Sequence, residues 1–162
     1  MENSDRKLLI TGGTGYIGSH TLVEILEADG MCGFSKIVVI DNLSNSSKVC
    51  LDKVDIITGD KCKKNVIFED CDIRHEEHLD DVFTRHGPIH AVIHFAGLKA
   101  VGESCSKPLL YYENNVGGTV ALLKVMEKHN CKDIVFSSSA TVYGDNPVAK
   151  EGDSIFPTNP YG

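Results

Sequence analysis

The residues best suited to chemistry stand near the start of the chain, in Thr11-Gly12-Gly13-Thr14-Gly15-Tyr16-Ile17-Gly18. Gly13, Gly15 and Gly18 give the spacing G-x-G-x-x-G, and Gly12 adds an overlapping G-x-x-G-x-x-G. In such a turn a first glycine permits a tight bend with positive φ. A second lets a pyrophosphate approach bare backbone, and a third lets the following helix pack close to the preceding strand. The phosphates then face unpaired N–H groups at the positive end of that helix. The chemistry this spacing suits is dinucleotide binding. Asp41 lies about 20 residues beyond Gly18, at the tip of the next apolar run, where an acid accepts hydrogen bonds from an adenosine ribose. Its bland alternative is a strand-end turn residue. Its charge repels a 2′-phosphate and no Arg follows closely, so NAD is expected over NADP.

Other residues follow the ends of apolar runs, where loops face a cofactor in a doubly wound sheet. Asn45 and Ser46 sit in the polar loop after Asp41, which either wraps the adenine or adjacent phosphate or is a plain connector. Asp72 is suited to accept from an adenine amino group, and Ile73 to cover the ring. Phe95, Ala96 and Gly97 let a cofactor pass close to backbone, and Lys99 brings a cation within reach of phosphate or ribose. Asn114, Asn115, Gly117 and Gly118 have poor helix propensity in a stretch otherwise patterned as a helix. They suggest close packing or an internal hydrogen bond, with Asn114 tying the helix to a neighbouring loop or holding a water. Ser137, Ser138 and Ser139 stand at the tip of another strand, where either a hydroxyl can donate to a reacting oxygen or the serines form a plain turn. Three in a row alternate in facing, so not all point inward.

Elements that position these groups alternate along the chain. Strands are expected over Lys7–Thr11, Lys36–Ile40, Asn65–Glu69, Ala91–Phe95 and Asp133–Ser138. Helices are expected over Tyr16–Ala28, about Lys48–Thr58, Glu76–Arg85 and about Leu109–His129, with a further one beginning near Pro160. Residues 42–64 are the least regular part, and 145–158 read mostly as loop. Alternating strands and helices are the sequence form of an α/β fold: a doubly wound, Rossmann-type parallel sheet with helices on both faces.

The 162 residues suffice for one compact domain, and contents of 41% hydrophobic and 24% charged residues are ordinary for a soluble chain. A net charge of −7 argues against nonspecific nucleic-acid binding and against docking on an anionic membrane. No apolar run approaches the roughly 20 residues of a membrane span, and the polar start lacks signal character, so the cytoplasm is expected. The six cysteines form no C-x-x-C and read as reduced thiols. His75 and His78, at helical spacing in a charged stretch, read as a solvated helix face, and no metal site is expected.

Thr11–Thr21, Asp41-Asn42-Leu43, Phe95-Ala96-Gly97-Leu98-Lys99-Ala100-Val101-Gly102-Glu103-Ser104, Tyr111–Val116, Ser137–Gly144 and Asn159-Pro160-Tyr161-Gly162 together resemble the UDP-glucose 4-epimerases. These are extended short-chain dehydrogenases/reductases of galactose metabolism. The Phe95–Ser104 and Ser137–Gly144 blocks are the specific part; residues 46–65 and 145–158 match poorly. The resemblance implies a tightly held NAD and interconversion of UDP-galactose and UDP-glucose through a 4-keto sugar. It implies Tyr161 as the base and Ser139 as the hydroxyl bridging Tyr and sugar, both touching substrate. It implies cofactor contacts from the glycine turn (Gly12, Gly13, Gly15, Gly18) and from Tyr16, Ile17, Asp41, Asn42, Asn45, Ser46, Asp72, Ile73, Phe95, Ala96, Gly97, Lys99, Asn114 and Ser137. A dehydratase of the same superfamily usually carries Asp-Glu after the active-site Thr, whereas Val142-Tyr143 follow Thr141 here.

The family also has a Lys four residues after the Tyr, which lowers the phenol pKa from its usual value near 10. The 162 residues do not include it, nor the part that grips the uridine diphosphate. Residues 1–162 therefore read as the NAD-binding domain of an epimerase, incomplete at the C-terminus and without the substrate domain. Three expectations stand: an NAD-dependent epimerase in the parent protein, an NAD-binding module without catalysis in this chain, and a short product that does not fold stably. The family homodimer is doubtful for a chain of this extent.

Overall fold

The computed structural model describes residues 5–162. Five parallel strands make one sheet: β1 (Lys7–Thr11), β2 (Lys36–Asp41), β3 (Val66–Asp70), β4 (Ala91–His94) and β5 (Asp133–Phe136). Their order is β3-β2-β1-β4-β5. In register Leu9 lies beside Val38 on one side and Val92 on the other. The order reverses between β1 and β4, and such a switch point opens a crevice beyond the carboxyl ends of the strands.

Strand periodicity sorts the core into two layers. Leu8, Ile10, Ile37 and Val39 face one side, where they meet Leu22, Ile25 and Leu26 of α1 (Tyr16–Glu27), Val54 of α2 (Val49–Ile57) and Cys62 of α3 (Lys61–Asn65). Leu9, Val38, Ile40 and Val92 face the other. There they meet Leu79, Val82 and Phe83 of α4 (Glu76–His86) and Ala121, Leu122, Val125 and Met126 of α7 (Gly118–Lys128). Burial of β1 and β2 on both faces is why they read as continuous apolar runs rather than alternating ones. β5 is an edge strand, with Val135 and Phe136 exposed.

Several elements depart from the expected ones. Between β2 and β3, α2 matches the helix expected over about Lys48–Thr58, and α3 is an added one that was not expected. α3 follows a left-handed turn at Gly59 and Asp60, and buried Asp55 of α2 anchors it, accepting from Lys63 N at 2.8 Å and pairing with Lys63 Nζ at 2.8 Å. A short α5 (Val101–Ser106) stands where no element was expected. The expected long helix from Leu109 is broken into α6 (Pro108–Tyr111), a π-helical turn (Tyr112–Gly117) and α7. β5 stops at Phe136, so Ser137–Ser139 are loop. Pro160–Gly162 are not helical in the described residues.

Candidate dinucleotide cleft

The crevice at the switch point is a cleft of about 570 Å³. Its near wall is the turn between β1 and α1. Gly12 N donates to Ile40 O at 2.8 Å, and Gly12 adopts φ +66°. A Cβ on Gly12 would lie 2.7 Å from Ala96 N, so a side chain there is excluded both by backbone conformation and by the loop after β4. A Cβ on Gly18 would strike Gly12 O, which is how the start of α1 seats against the turn. The tight-turn role expected of the first glycine of G-x-G-x-x-G therefore belongs to Gly12, not Gly13. Gly13 faces away from the cleft, against Val39 at 2.7 Å from where a Cβ would stand. The overlapping Gly12, Gly15, Gly18 spacing is the one that lines the cleft.

Asp41, the last residue of β2, lines the same cleft and is 8% exposed. Its Oδ2 accepts from Thr14 N at 3.2 Å, and its Oδ1 accepts from Leu43 N and Ser46 Oγ, each at 2.9 Å. Because Ser46 donates to Asp41, the 2.8 Å contact between Thr14 and Ser46 hydroxyls runs from Thr14 to Ser46. One carboxylate thus fixes the glycine turn and the loop after β2 to each other. Asn42 and Asn45 line the cleft; Ser46 stands behind it.

Asp72 also stands behind the lining, while Ile73 and Cys71 face the cleft. Arg74 grips the Asp72 carboxylate with Nε and Nη2 at 2.7 to 3.2 Å, and Asn42 Nδ2 donates to it at 3.0 Å. The guanidinium holds this carboxyl well below the usual carboxylate range. Asp72 is therefore a strut between two loops in this arrangement. A Cβ on Gly118 would lie 2.6 Å from Ile73 Cδ1, so the helix glycine serves close packing.

The far wall is the Phe95–Ala100 loop. Asn115, rather than Asn114, ties the helix to it: Leu98 N donates to Asn115 Oδ1 and Asn115 Nδ2 donates to Leu98 O, both at 2.8 Å. Asn114 supports that amide from its own Nδ2 at 2.9 Å. Buried Tyr111 holds the end of the loop, accepting from Ala100 N at 3.1 Å and donating to Glu103 Oε2 at 3.0 Å. Among the described lining residues Lys99 is the only cation, and its side chain is exposed. Phe95, Ala96, Gly97, Asn114 and Ser137 line the cleft with it, as do the exposed Tyr16 and Ile17 opposite.

Ser139 and Tyr161 close one end of the cleft. Ser139 Oγ accepts from Thr141 N at 3.2 Å and pairs with Thr141 Oγ1 at 2.7 Å, capping the turn Ala140–Tyr143. Among the described residues Ser139 pairs with Thr141 and not with Tyr161. Tyr161 is half-buried, edge-on to Tyr111 with ring centroids 6.5 Å apart. Its N–H and that of Gly162 donate to Asn159 Oδ1. The returning chain is held by Phe156 N donating to Val142 O at 2.8 Å, with Phe156 O packed on Gly144 at φ +62°.

Sequence reasoning missed His94, Thr11, Thr14, Thr119, Tyr111 and Asn115. Asn115 alone carried a signal, as half of an Asn-Asn pair in a helix. Thr11, Thr14 and Tyr111 lie in motif blocks but carried no role of their own, and His94 and Thr119 read as ordinary strand and helix residues.

A family model, the NAD dependent epimerase/dehydratase family, matches residues 8–162. The UDP-glucose 4-epimerase of Dictyostelium discoideum is 51% identical over 165 residues, which is 100% of this chain and 45% of that protein. The UDP-glucose 4-epimerase of Bacillus subtilis (strain 168) is 52% identical over 161 residues, 96% of this chain and 43% of that protein. The crystal structure of the Bifidobacterium longum UDP-glucose 4-epimerase in complex with NAD+ and UDP superposes with a TM-score of 0.84 at 47% identity. It covers 96% of this chain and 44% of that one. The chain thus spans less than half the length of the relatives it matches.

Proposed function

Because the chain belongs to the NAD dependent epimerase/dehydratase family, we propose that it is the NAD-binding domain of a UDP-glucose 4-epimerase. The observation that carries this reading is the joining of two walls at one cleft. The side-chain-free surface of Gly12, Gly15 and Gly18 stands with Asp41 on one wall, and Ser139 and Tyr161 stand at the end. The cradle that a Cβ on Gly12 would fill suits a pyrophosphate lying on bare backbone. The Asp41 carboxylate suits the adenosine ribose, and its charge selects NAD over its 2′-phosphorylated form. Tyr16, Ile17, Asn42, Asn45, Ile73, Phe95, Ala96, Gly97, Lys99, Asn114 and Ser137 would complete the contacts, with Gly13, Ser46 and Asp72 supporting them from behind.

When bound, NAD supplies a hydride acceptor that returns the hydride to the sugar. The chain's own groups handle the proton. The Tyr161 phenol is the group proposed to take it from the sugar C4 hydroxyl, and Ser139 Oγ, oriented by Thr141, is the hydroxyl proposed to share it. A phenol with an ordinary pKa near 10 is a poor base at pH 7, so this step needs a cation close by. The complete reaction on UDP-galactose and UDP-glucose is proposed for a protein of the relatives' length. The 162-residue span is proposed to bind NAD with negligible turnover. No described helix is long and apolar enough to cross a membrane, which supports placing the protein in the cytoplasm. The homodimer of the wider family is left to the longer protein.

Titration calorimetry of the purified chain with NAD and NADP, followed by chromatographic assay of UDP-galactose turnover, tests this reading. One equivalent of NAD, preferred over NADP, without turnover is the expected result. A cooperatively folded chain that ignores NAD refutes the cofactor reading. Robust turnover refutes the restriction to binding.

A further inference from the structure

His94 ends β4 with 1% of its surface exposed and is among the residues lining the cleft. Buried polar groups must be paired, and here the pairing also fixes direction. Thr119 Oγ1 donates to the carbonyl of Asn115 at 2.5 Å, since a carbonyl only accepts. The Thr119 hydroxyl hydrogen is thereby used, so its 2.9 Å contact with His94 Nε2 requires hydrogen on the imidazole nitrogen. On the other side, Thr11 Oγ1 lies 2.6 Å from His94 Nδ1 and accepts from Ala96 N at 3.1 Å. With Nδ1 bare, the Thr11 hydroxyl donates to it and every atom is satisfied. An imidazolium would leave the Thr11 hydrogen without a partner. The chain of bonds therefore runs from Ala96 N–H through Thr11 to His94 Nδ1. It continues from Nε2–H through Thr119 to the backbone of Asn115, whose side chain clamps Leu98.

We propose that His94, as the neutral Nε2–H tautomer, is a positioning residue for the cleft. It joins β1 to the π-helical turn and α7 and so sets where the Phe95–Leu98 loop stands against the glycine turn. Both ends of that loop are reached through it: Ala96 through Thr11, and Leu98 through Thr119 and Asn115. Gly12 leaves no room for the loop to shift inward, since a Cβ there would already meet Ala96 N. The groups packed on the imidazole are the two threonines and the Phe136 ring, with centroids 5.6 Å apart, and none of these is charged. Burial alone pushes its pKa down, to about 4, in keeping with a neutral ring. Only the choice of NAD as probe rests on the function proposed above.

The test needs no catalysis. Nitrogen-15 NMR of the imidazole in the native chain at pH 7 should show hydrogen on Nε2 and a bare Nδ1; an Nδ1–H tautomer or an imidazolium overturns the proposal without any variant. Amide exchange then separates the two arms. H94N keeps an acceptor near the Nδ1 position and should preserve Ala96 protection while loosening Leu98. H94Q keeps a donor near the Nε2 position and should do the reverse. Uniform protection changes in both variants would mean packing only and would overturn the inference. NAD affinity should fall about 10-fold in H94L, the equivalent of one lost hydrogen bond. Unchanged NAD affinity in a folded H94L counts against the proposal. Failure of the native chain to bind NAD refutes the cofactor reading instead, and the tautomer and exchange patterns still decide the role of His94.

Discussion

Acidification should destabilise the chain through His94 before any carboxylate takes part. An unfolded histidine titrates near 6.5, whereas burial holds His94 at about 4. The unfolded state therefore binds one more proton than the native state between those values. The folded pKa is the depressed one, so the stabilisation is complete above pH 6.5 and is lost as pH falls toward 4. The slope is about 1.4 kcal/mol per pH unit, which integrates to about 2.5 kcal/mol between pH 7.5 and 4.5. The paired carboxylates Asp72, Glu69 and Asp80 all have lowered pKa values, and their contribution begins below the ordinary carboxylate range near 4. Urea unfolding at intervals from pH 7.5 to 4.5 reads the slope directly. H94Q cannot titrate, so its stability should be lower at pH 7.5 by about 1 kcal/mol for the mispaired Thr11 hydroxyl but nearly flat across the same range. The native chain should cross the variant as pH falls and end about 1.5 kcal/mol below it at pH 4.5. Parallel pH profiles for the two proteins would refute the reasoning, because the acid sensitivity would then belong to other groups.

Gly12→Ala should cost about 2–3 kcal/mol in urea unfolding, from a methyl group forced at φ +66° and 2.7 Å from Ala96 N; a loss under about 0.5 kcal/mol would mean the turn yields freely. Gly118→Ala should destabilise by about 1 kcal/mol, the overpacking against Ile73 outweighing the better helix propensity. Combining it with Ile73→Val should recover part of that loss in a double-mutant cycle, and strict additivity would show that the two positions do not meet. Alkylation at pH 8 should modify the exposed Cys32 and Cys105 first. Cys62 and Cys71, whose thiols burial pushes up to about 11, should react only on unfolding. Early labelling of either buried thiol, detected by peptide mass spectrometry, would contradict the packing of both core layers.

The strands were legible because β1 and β2 are buried on both faces, and so were the helices with one apolar stripe. Asp41 was legible because its position at the end of β2 follows from the apolar run before it. What was not legible depended on neighbours distant in the chain. Two overlapping glycine spacings are equally good as sequence; only the backbone of Ala96, beyond β4, makes Gly12 the residue without room for a side chain. Of Asn114 and Asn115, the one that holds the loop is chosen by the π-helical turn, which rotates Asn115 toward Leu98. α3 was read as irregular because its anchor, Asp55, sits on the preceding helix across a left-handed turn. His94 carried no signal at all, since a histidine ending an apolar strand is indistinguishable from a solvated one until both threonines are placed.

The two ends of the cleft are held by different kinds of bond, and this bears on what the span can do alone. On the side proposed to bind the dinucleotide, long-range bonds tie the backbone down: Gly12 to Ile40, Asp41 to Thr14, Ala96 to Thr11, and Leu98 to Asn115. Disturbing any of them disturbs the core. On the side proposed to react, Ser139 is fixed by Thr141, and Tyr161 by Asn159. Beyond these local turns, Phe156 N on Val142 O and the Tyr161 ring on Tyr111 hold the segment back. Ile155 and Phe156 are 67% and 76% exposed, so little apolar burial holds it in place. Local stability follows burial and hydrogen bonding to the core. Dinucleotide binding is therefore the property the five-stranded sheet supports within this span. The proposed placing of the phenol and the serine hydroxyl against a sugar rests on this weakly held segment, whose Ile155 and Phe156 are open to further contacts.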